Sequence, residues 1–166
     1  MNHSDILTLY EYNYWGNARV LRAAANVSAE QFTAPFKLSH GSLRGALVHI
    51  LGAEAAWRLR CEERIFPTAL MAESEFPTLE SLRSRWAEEE RKMRAYVASL
   101  TDDALNQRIQ YHTTKGVEAE NVLWHVLAHV VNHGTQSRSE AGVALTEYGH
   151  SPGDIDLLLF FRETSG

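Results

Sequence analysis

The feature that most constrains the fold is a set of four long stretches in which apolar residues recur every three to four positions. They cover about residues 4–26, 42–64, 79–99 and 120–146 of the chain. Such spacing places the apolar side chains on one face of an α-helix. Four amphipathic helices of this length can bury their apolar faces against one another. We therefore predict an all-α fold, a four-helix bundle, in a single domain spanning residues 1–166.

The segments between these helices predict two smaller elements. Residues 108–121 alternate apolar and polar side chains around a TTKG turn, which is typical of a short β-hairpin. Asp154 can cap a short C-terminal helix that continues through Arg162. Residues 33–41 and 65–77 contain prolines or glycine that interrupt the helical pattern, so we expect loops there. Because the 65–77 connection is long, the bundle need not have a simple up-down-up-down order.

Charge and composition limit the classes of partner. The formal net charge is −5, and Lys and Arg are scattered among Asp and Glu, so we expect no nucleic-acid partner. The charged run at residues 85–92 is expected to be a solvated helix face. No stretch approaches ~20 uninterrupted apolar residues, so no membrane partner is expected. Cys61 is the single cysteine and the first residues lack a signal-peptide pattern, which together predict a cytoplasmic protein.

Regularly spaced histidines mark the last long helix. His125, His129 and His133 lie four residues apart, and Ser137 occupies the next step. Imidazoles at this spacing share a helix face and can converge on one ion. A further ligand can come from a facing helix of the bundle, and His49 is the other mid-helix histidine. The alternative is a pair of buried, hydrogen-bonded histidines. The remaining histidines are expected at the surface: His3, His40, His112 and His150.

Three stretches of the chain carry a family resemblance. They are YNYWGN at residues 12–17, LVHIL at residues 47–51, and HVVNHGTQSRSE followed by GHSPGDID near the end. From about residue 5 to 162 the chain resembles the DinB-like (damage-inducible) superfamily of small four-helix proteins. The resemblance implies a divalent metal, zinc or nickel, held by His49 and by two side chains four residues apart on the last long helix. It also implies a thiol-dependent transferase or isomerase with a low-molecular-weight thiol cosubstrate, a small-molecule substrate and a homodimer.

The chain departs from that family pattern at one position. The late motif commonly reads N-H-G-T-x-H-R, which places a histidine where this chain has Ser137. Serine is a poor neutral ligand for zinc. Two alternatives follow from this. The site can shift by one helical turn and use His129 with His133, or water can occupy the vacant position beside His49 and His133. His125 is expected to be structural.

Other polar and aromatic residues are candidates for supporting roles. Asn13 and Asn17 are four residues apart and can orient a ligand or substrate, or hydrogen-bond between helices. Trp15 can be a core residue or a platform for substrate. Glu54 follows His49 by five residues, about 140° around the helix, and is therefore a poor general-base candidate. No catalytic residue is assigned.

Two functional hypotheses follow. The first is a metal-dependent enzyme that transfers a thiol or hydrolyses a small molecule, because a bound metal lowers the pKa of a coordinated water or thiol. The second is a catalytically inactive, metal-poor bundle that acts as a binding or stress-response module. The retained histidines at 49, 129 and 133 favour the first hypothesis, and Ser137 favours the second.

Overall fold

The computed structural model describes residues 1–164 and confirms a helical bundle with a small hairpin. Its helices are α1 (His3–Ala24), α2 (Ala29–Thr33), α3 (Leu43–Arg58), α4 (Leu79–Ala98), α5 (Asp102–Leu105), α6 (Leu123–Glu147) and α7 (Leu157–Thr164). The hairpin pairs β1 (Arg108–His112) with β2 (Glu118–Val122) in antiparallel register, Arg108 lying opposite Val122. The four predicted long helices are α1, α3, α4 and α6. None of the helices within residues 1–164 is long and apolar enough to cross a membrane.

The four long helices form a ring in which α1 and α3 occupy diagonal corners. Both α6 and α4 pack against α1 and against α3. Helices α1 and α3 follow one another in the sequence but are not neighbours in the ring, so the order is not a simple up-down-up-down one. Two apolar clusters fill the interior, one around Met93 and Leu127 and the other around Leu47 and Leu145. The space between α1, α3 and α6 holds the residues considered below.

Two short helices of the structure were not predicted. Helix α2 begins after Ser28, whose hydroxyl accepts a hydrogen bond from the backbone N–H of Gln31 at 3.1 Å, while the Gln31 side chain accepts from the Ser28 backbone N–H. Helix α5 begins after Thr101, which accepts from the backbone N–H of Ala104. A helix of about one turn is too short to show an apolar repeat. Capping residues are therefore the main sequence signal for such elements.

The C-terminal helix is present, but its predicted cap was wrong. Asp156, rather than Asp154, accepts a hydrogen bond from the backbone N–H of Leu159 in the first turn of α7, at 2.8 Å. Helix α7 packs onto α1 through Trp15. The Trp15 indole N–H donates to Glu163 at 3.0 Å, and its ring packs edge-on against Phe160, the buried phenylalanine of α7, with centroids 5.8 Å apart. Trp15 therefore contributes to the packing of α7.

The charged run at residues 85–92 is not solvated throughout. Glu89 of α4 is fully buried and forms an ion pair with Arg58, whose side chain is 4% exposed. Arg58 lies at the end of α3, where a π-helical turn, Leu59–Glu63, continues the helix. Two glutamates of that turn lie 2.7 and 2.6 Å from the same guanidinium. The sequence analysis did not predict this buried ion pair, because nothing in a run of charged residues distinguishes Glu89 from its exposed neighbours.

Candidate metal centre

Helices α3 and α6 bring His49 and His133 into direct contact. Their Nε2 atoms are 3.0 Å apart and their ring centroids 4.8 Å apart. Both side chains are half-buried. At this distance one nitrogen donates a proton and the other accepts it, so the two neutral rings hold complementary tautomers. The two histidines that the sequence placed on different helices therefore face one another.

The surroundings keep both imidazoles neutral. Burial, together with smaller effects of the neighbouring His40 and His133 rings, lowers the pKa of His49 to about 4. Burial also lowers the pKa of His133, with contributions from His129 and His40. Neutral imidazole is the form that coordinates metal ions. At pH 7 neither ring carries the extra proton of the imidazolium form, and the ring that donates its Nε2 hydrogen has only to change tautomer before that nitrogen can act as a ligand.

His40 is a third member of this cluster that the sequence analysis assigned to the surface. Its ring stacks on that of His49, with centroids 3.7 Å apart and an angle of 19° between the planes. The side chain is half-buried. His40 lies in the loop that precedes α3, where no helical periodicity marks a position. Nothing in the spacing of the histidines links residue 40 with residue 49.

His129 lies beside His133 but also contacts a different part of the bundle. Its ring centroid is 5.9 Å from that of His133 and 5.6 Å from that of Trp57, which it meets edge-on. His129 and His125 are both exposed and line a cleft of about 280 Å³. The other residues of this cleft are Trp57, Tyr111, Asn121 and Val126. The role of His129 as a metal ligand stays a prediction.

A buried polar network joins α1, α3 and α6 beside the histidines. The side-chain amide of Asn13 donates to Glu54 at 2.9 Å, and the Tyr14 hydroxyl donates to the other carboxylate oxygen at 3.0 Å. Arg138 of α6 donates to the side-chain oxygens of Asn13 at 2.5 Å and Asn17 at 2.8 Å. Both asparagines therefore make hydrogen bonds between helices, one of the two roles considered for them.

Glycines make room for the guanidinium of this network. A Cβ atom at Gly16 of α1 would lie 2.9 Å from Arg138 Nε, and one at Gly134 of α6 would lie 2.9 Å from Arg138 Nη1. The sequence analysis missed Arg138 because a mid-helix arginine is usually exposed. The glycines in the YNYWGN and NHGT stretches were the available signal, since glycine is unfavourable within a helix unless close packing requires it.

Burial also raises the pKa of Glu54 to about 7. The hydrogen bonds from Tyr14 and Asn13 and the charge of Arg138 oppose this rise, whereas the buried carboxylate of Glu89 adds to it. Glu54 is fully enclosed between helices, and its carboxylate oxygens already accept hydrogen bonds. It serves as a structural carboxylate of the core.

Comparison with known proteins assigns the chain to a family. The sequence model of the DinB family matches residues 1–165. The chain belongs to the DinB family. It is also similar to "Protein DinB" of Bacillus subtilis (strain 168), with 23% identity over 165 residues that cover 94% of each chain. The match spans all four long helices and the hairpin, so the family assignment applies to the whole bundle.

In this DinB-family chain the residues match two of the three ligand positions of the implied metal site. Two nitrogens bound to a tetrahedral zinc ion at ~2.0–2.1 Å lie about 3.3 Å apart, close to the 3.0 Å between His49 and His133. Ser137, one turn further along α6, is buried and offers a hydroxyl. Within residues 1–164, no group of three His, Cys, Asp or Glu side chains is arranged to hold a metal ion. The observed conformation thus provides two donors and lacks a third.

A larger cleft lies away from the histidine pair. It measures about 770 Å³ and runs between the hairpin and the segment that follows the π-helical turn, with Arg64, Phe66 and Arg108 among its lining residues. Tyr111 lines this cleft and also the smaller one beside His129. His129 lines the smaller cleft and connects it with His133.

Proposed function

We propose that this DinB-family protein binds a divalent metal ion, zinc or nickel, through His49 and His133. The observation that carries the proposal is the 3.0 Å approach of their Nε2 atoms. Each histidine lies within a long helix, and the buried network of Asn13, Glu54 and Arg138 ties those helices to α1. Imidazole ligands suit zinc and nickel better than magnesium or calcium, which prefer oxygen.

The chemistry proposed for the site is a thiol-dependent S-transfer or the hydrolysis of a small molecule. A divalent ion, when bound, supplies a Lewis acid that lowers the pKa of a coordinated water or thiol. Cys61 is a poor nucleophile, because it is buried and burial raises the pKa of its thiol to about 12. A reactive thiol is therefore expected from a low-molecular-weight cosubstrate. The Trp57 and Tyr111 rings of the smaller cleft offer an apolar wall for the second substrate.

A second candidate function is a metal-poor bundle that acts as a binding or stress-response module. The observation that favours it is the buried hydroxyl of Ser137 at the position of the family's third ligand. In this proposal the cleft beside His129 binds a small molecule without chemistry. The expected homodimer belongs to either proposal and is tested by light scattering during size-exclusion chromatography.

Metal analysis of the purified protein separates the two functions. We expect stoichiometric zinc or nickel in wild type after expression in medium that contains both metals, and its loss in His133→Ala. His125→Ala is the matched control, because His125 is an exposed histidine on the same helix. A metal-free wild type under these conditions would overturn the enzyme proposal and favour the binding module.

A further inference from the structure

We propose that His40, in the loop between α2 and α3, supplies the third ligand of this metal site in place of the side chain at position 137. The inference rests on the proposed metal binding by His49 and His133. Its basis is the stacking of the His40 ring on His49 at 3.7 Å between centroids, beside the His49–His133 contact. Imidazoles from three separate segments therefore lie side by side, with the His49 ring between those of His40 and His133.

The loop that carries His40 is anchored to the helix that carries His133. The hydroxyl of Ser39 donates to Glu140 of α6 at 2.6 Å, and the backbone N–H of Ser39 donates to the same carboxylate at 3.2 Å. Glu140 lies two helical turns beyond His133 on α6. These contacts hold the residue before His40 against α6.

The same loop is seated on the first turn of α3. A Cβ atom at Gly45 would collide with the backbone carbonyl oxygen of His40, so glycine is needed for the observed approach. Gly45 lies one turn before His49. On the other side of His40, Ser42 caps α3 and donates to Glu73 at 3.1 Å. The backbone around His40 is thus held at the level of the histidine pair.

The His40 side chain, by contrast, can change its orientation. No hydrogen bond within the part of the chain from residue 1 to 164 holds its imidazole, and the side chain is only half-buried. Parallel rings do not direct their nitrogens at one point. Rotation about the His40 side-chain torsions therefore exchanges the stack on His49 for coordination, with little movement of the anchored backbone.

His40 also has an advantage over His129 as the third ligand. The His129 ring packs against Trp57 and lines the cleft proposed for the substrate. With His40 as ligand, His129 keeps these contacts. An imidazole from the loop replaces the donor that the Ser137 hydroxyl cannot provide, since serine is a poor zinc ligand.

The test is a set of Zn²⁺ dissociation constants measured by competition with a chromophoric chelator. We expect His40→Ala and His40→Phe to weaken Zn²⁺ binding by at least ~10-fold, the lower end of the effect known for residues that only support a ligand. Phenylalanine preserves a ring that can stack on His49 and removes the nitrogen donors. His129→Ala is expected to bind Zn²⁺ like wild type. Thermal unfolding of each metal-free variant checks that it is folded.

A double variant separates coordination from loop structure. In the His40→Ala background, Ser137→His is expected to restore wild-type Zn²⁺ affinity or better, because it returns a third imidazole from α6. A merely structural effect of His40 would not be rescued in this way, since a substitution on α6 does not rebuild the loop.

The outcomes distinguish the two proposals. If wild type binds no Zn²⁺, the proposed metal function fails and the ligand role of His40 fails with it. If wild type binds Zn²⁺, His133→Ala does not, and His40→Phe binds as well as wild type, only the role of His40 is overturned. Weakening by His129→Ala instead of His40→Phe, or weakening by His40→Ala without rescue by Ser137→His, would also overturn it.

Discussion

Replacing Glu54 with glutamine should change how stability depends on pH. The carboxyl group is fully buried, and burial raises its pKa from 4.5 to about 7 in the folded protein. The folded state therefore binds a proton more tightly than the unfolded chain does. The stabilising effect of this proton is complete below pH 4.5 and is lost as the pH rises through 7.

The magnitude follows from the size of the shift. One pKa unit corresponds to about 1.4 kcal/mol, so ionising Glu54 reduces the free energy of unfolding by about 2–3 kcal/mol between pH 5 and pH 8. Glutamine cannot ionise. Its carbonyl can accept from Asn13 and its amide can donate to the Tyr14 hydroxyl, which makes it a close match for protonated glutamate.

Only the difference between two proteins isolates this effect. The lowered pKa of His49 acts in the opposite direction, because its neutral form is favoured in the folded state and stability therefore rises between about pH 4 and 6.5. This contribution is common to wild type and Glu54→Gln. It cancels when the two are compared at the same pH.

The assay is urea unfolding of metal-free protein at pH 5 and pH 8, followed by the fluorescence of the four tryptophans. We expect Glu54→Gln to gain about 2–3 kcal/mol relative to wild type between the two pH values. Glu147→Gln, an exposed glutamate at the end of α6, should show no such gain. An equal difference between Glu54→Gln and wild type at both pH values would refute the reasoning.

Three further predictions concern the core. In urea unfolding, Gly134→Ala should destabilise the protein by about 1–3 kcal/mol, because its Cβ would lie 2.8 Å from Asn13 Oδ1. The control Gly142→Ala, whose Cβ would meet its nearest neighbour at 3.6 Å, should be neutral or stabilising. Glu89→Ala should lower the free energy of unfolding by about 3 kcal/mol. This is the lower end of the range for a broken buried ion pair, because Arg58 keeps two other carboxylate partners. Glu88→Ala, at an exposed position, should leave the midpoint of urea unfolding nearly unchanged. Cys61 should react with a thiol-alkylating reagent far more slowly in the folded protein than in urea at pH 8, as mass spectrometry would show, and equal rates would contradict its burial.

The long helices and the hairpin could be predicted because each has a face that must be buried. Their apolar repeat is a local property of the sequence, with a period of about 3.6 in helices and 2 in strands. Short elements such as α2 and α5 lack that repeat and depend on caps at Ser28 and Thr101. The burial of Glu89 depends on Arg58 from another helix, a partner that the sequence of α4 does not reveal.

The candidate site could be predicted only in part for a similar reason. The pairing of His49 with His133 follows from two helices that each direct a histidine into one bundle. The position of His40 depends instead on the hydrogen bond from Ser39 to Glu140, two residues 101 positions apart in the sequence. A loop residue has no periodicity that indicates its side-chain contacts, so His40 could not be distinguished from other loop histidines.

The buried network explains how the histidine pair can persist without a histidine at position 137. Helices α3 and α6 run antiparallel, since one end of α3 contacts His129 while His49 meets His133. Glu54 follows His49 by five residues and Arg138 follows His133 by five, so on antiparallel helices they lie on opposite sides of the histidine pair. Asn13 of α1 forms hydrogen bonds with both residues and so links α3 and α6 across the level of the histidine pair. These bonds fix how each helix is rotated about its axis. The side chain at position 137 has no part in these hydrogen bonds, so the fold constrains the facing of the two histidines and leaves the source of a third ligand free to differ.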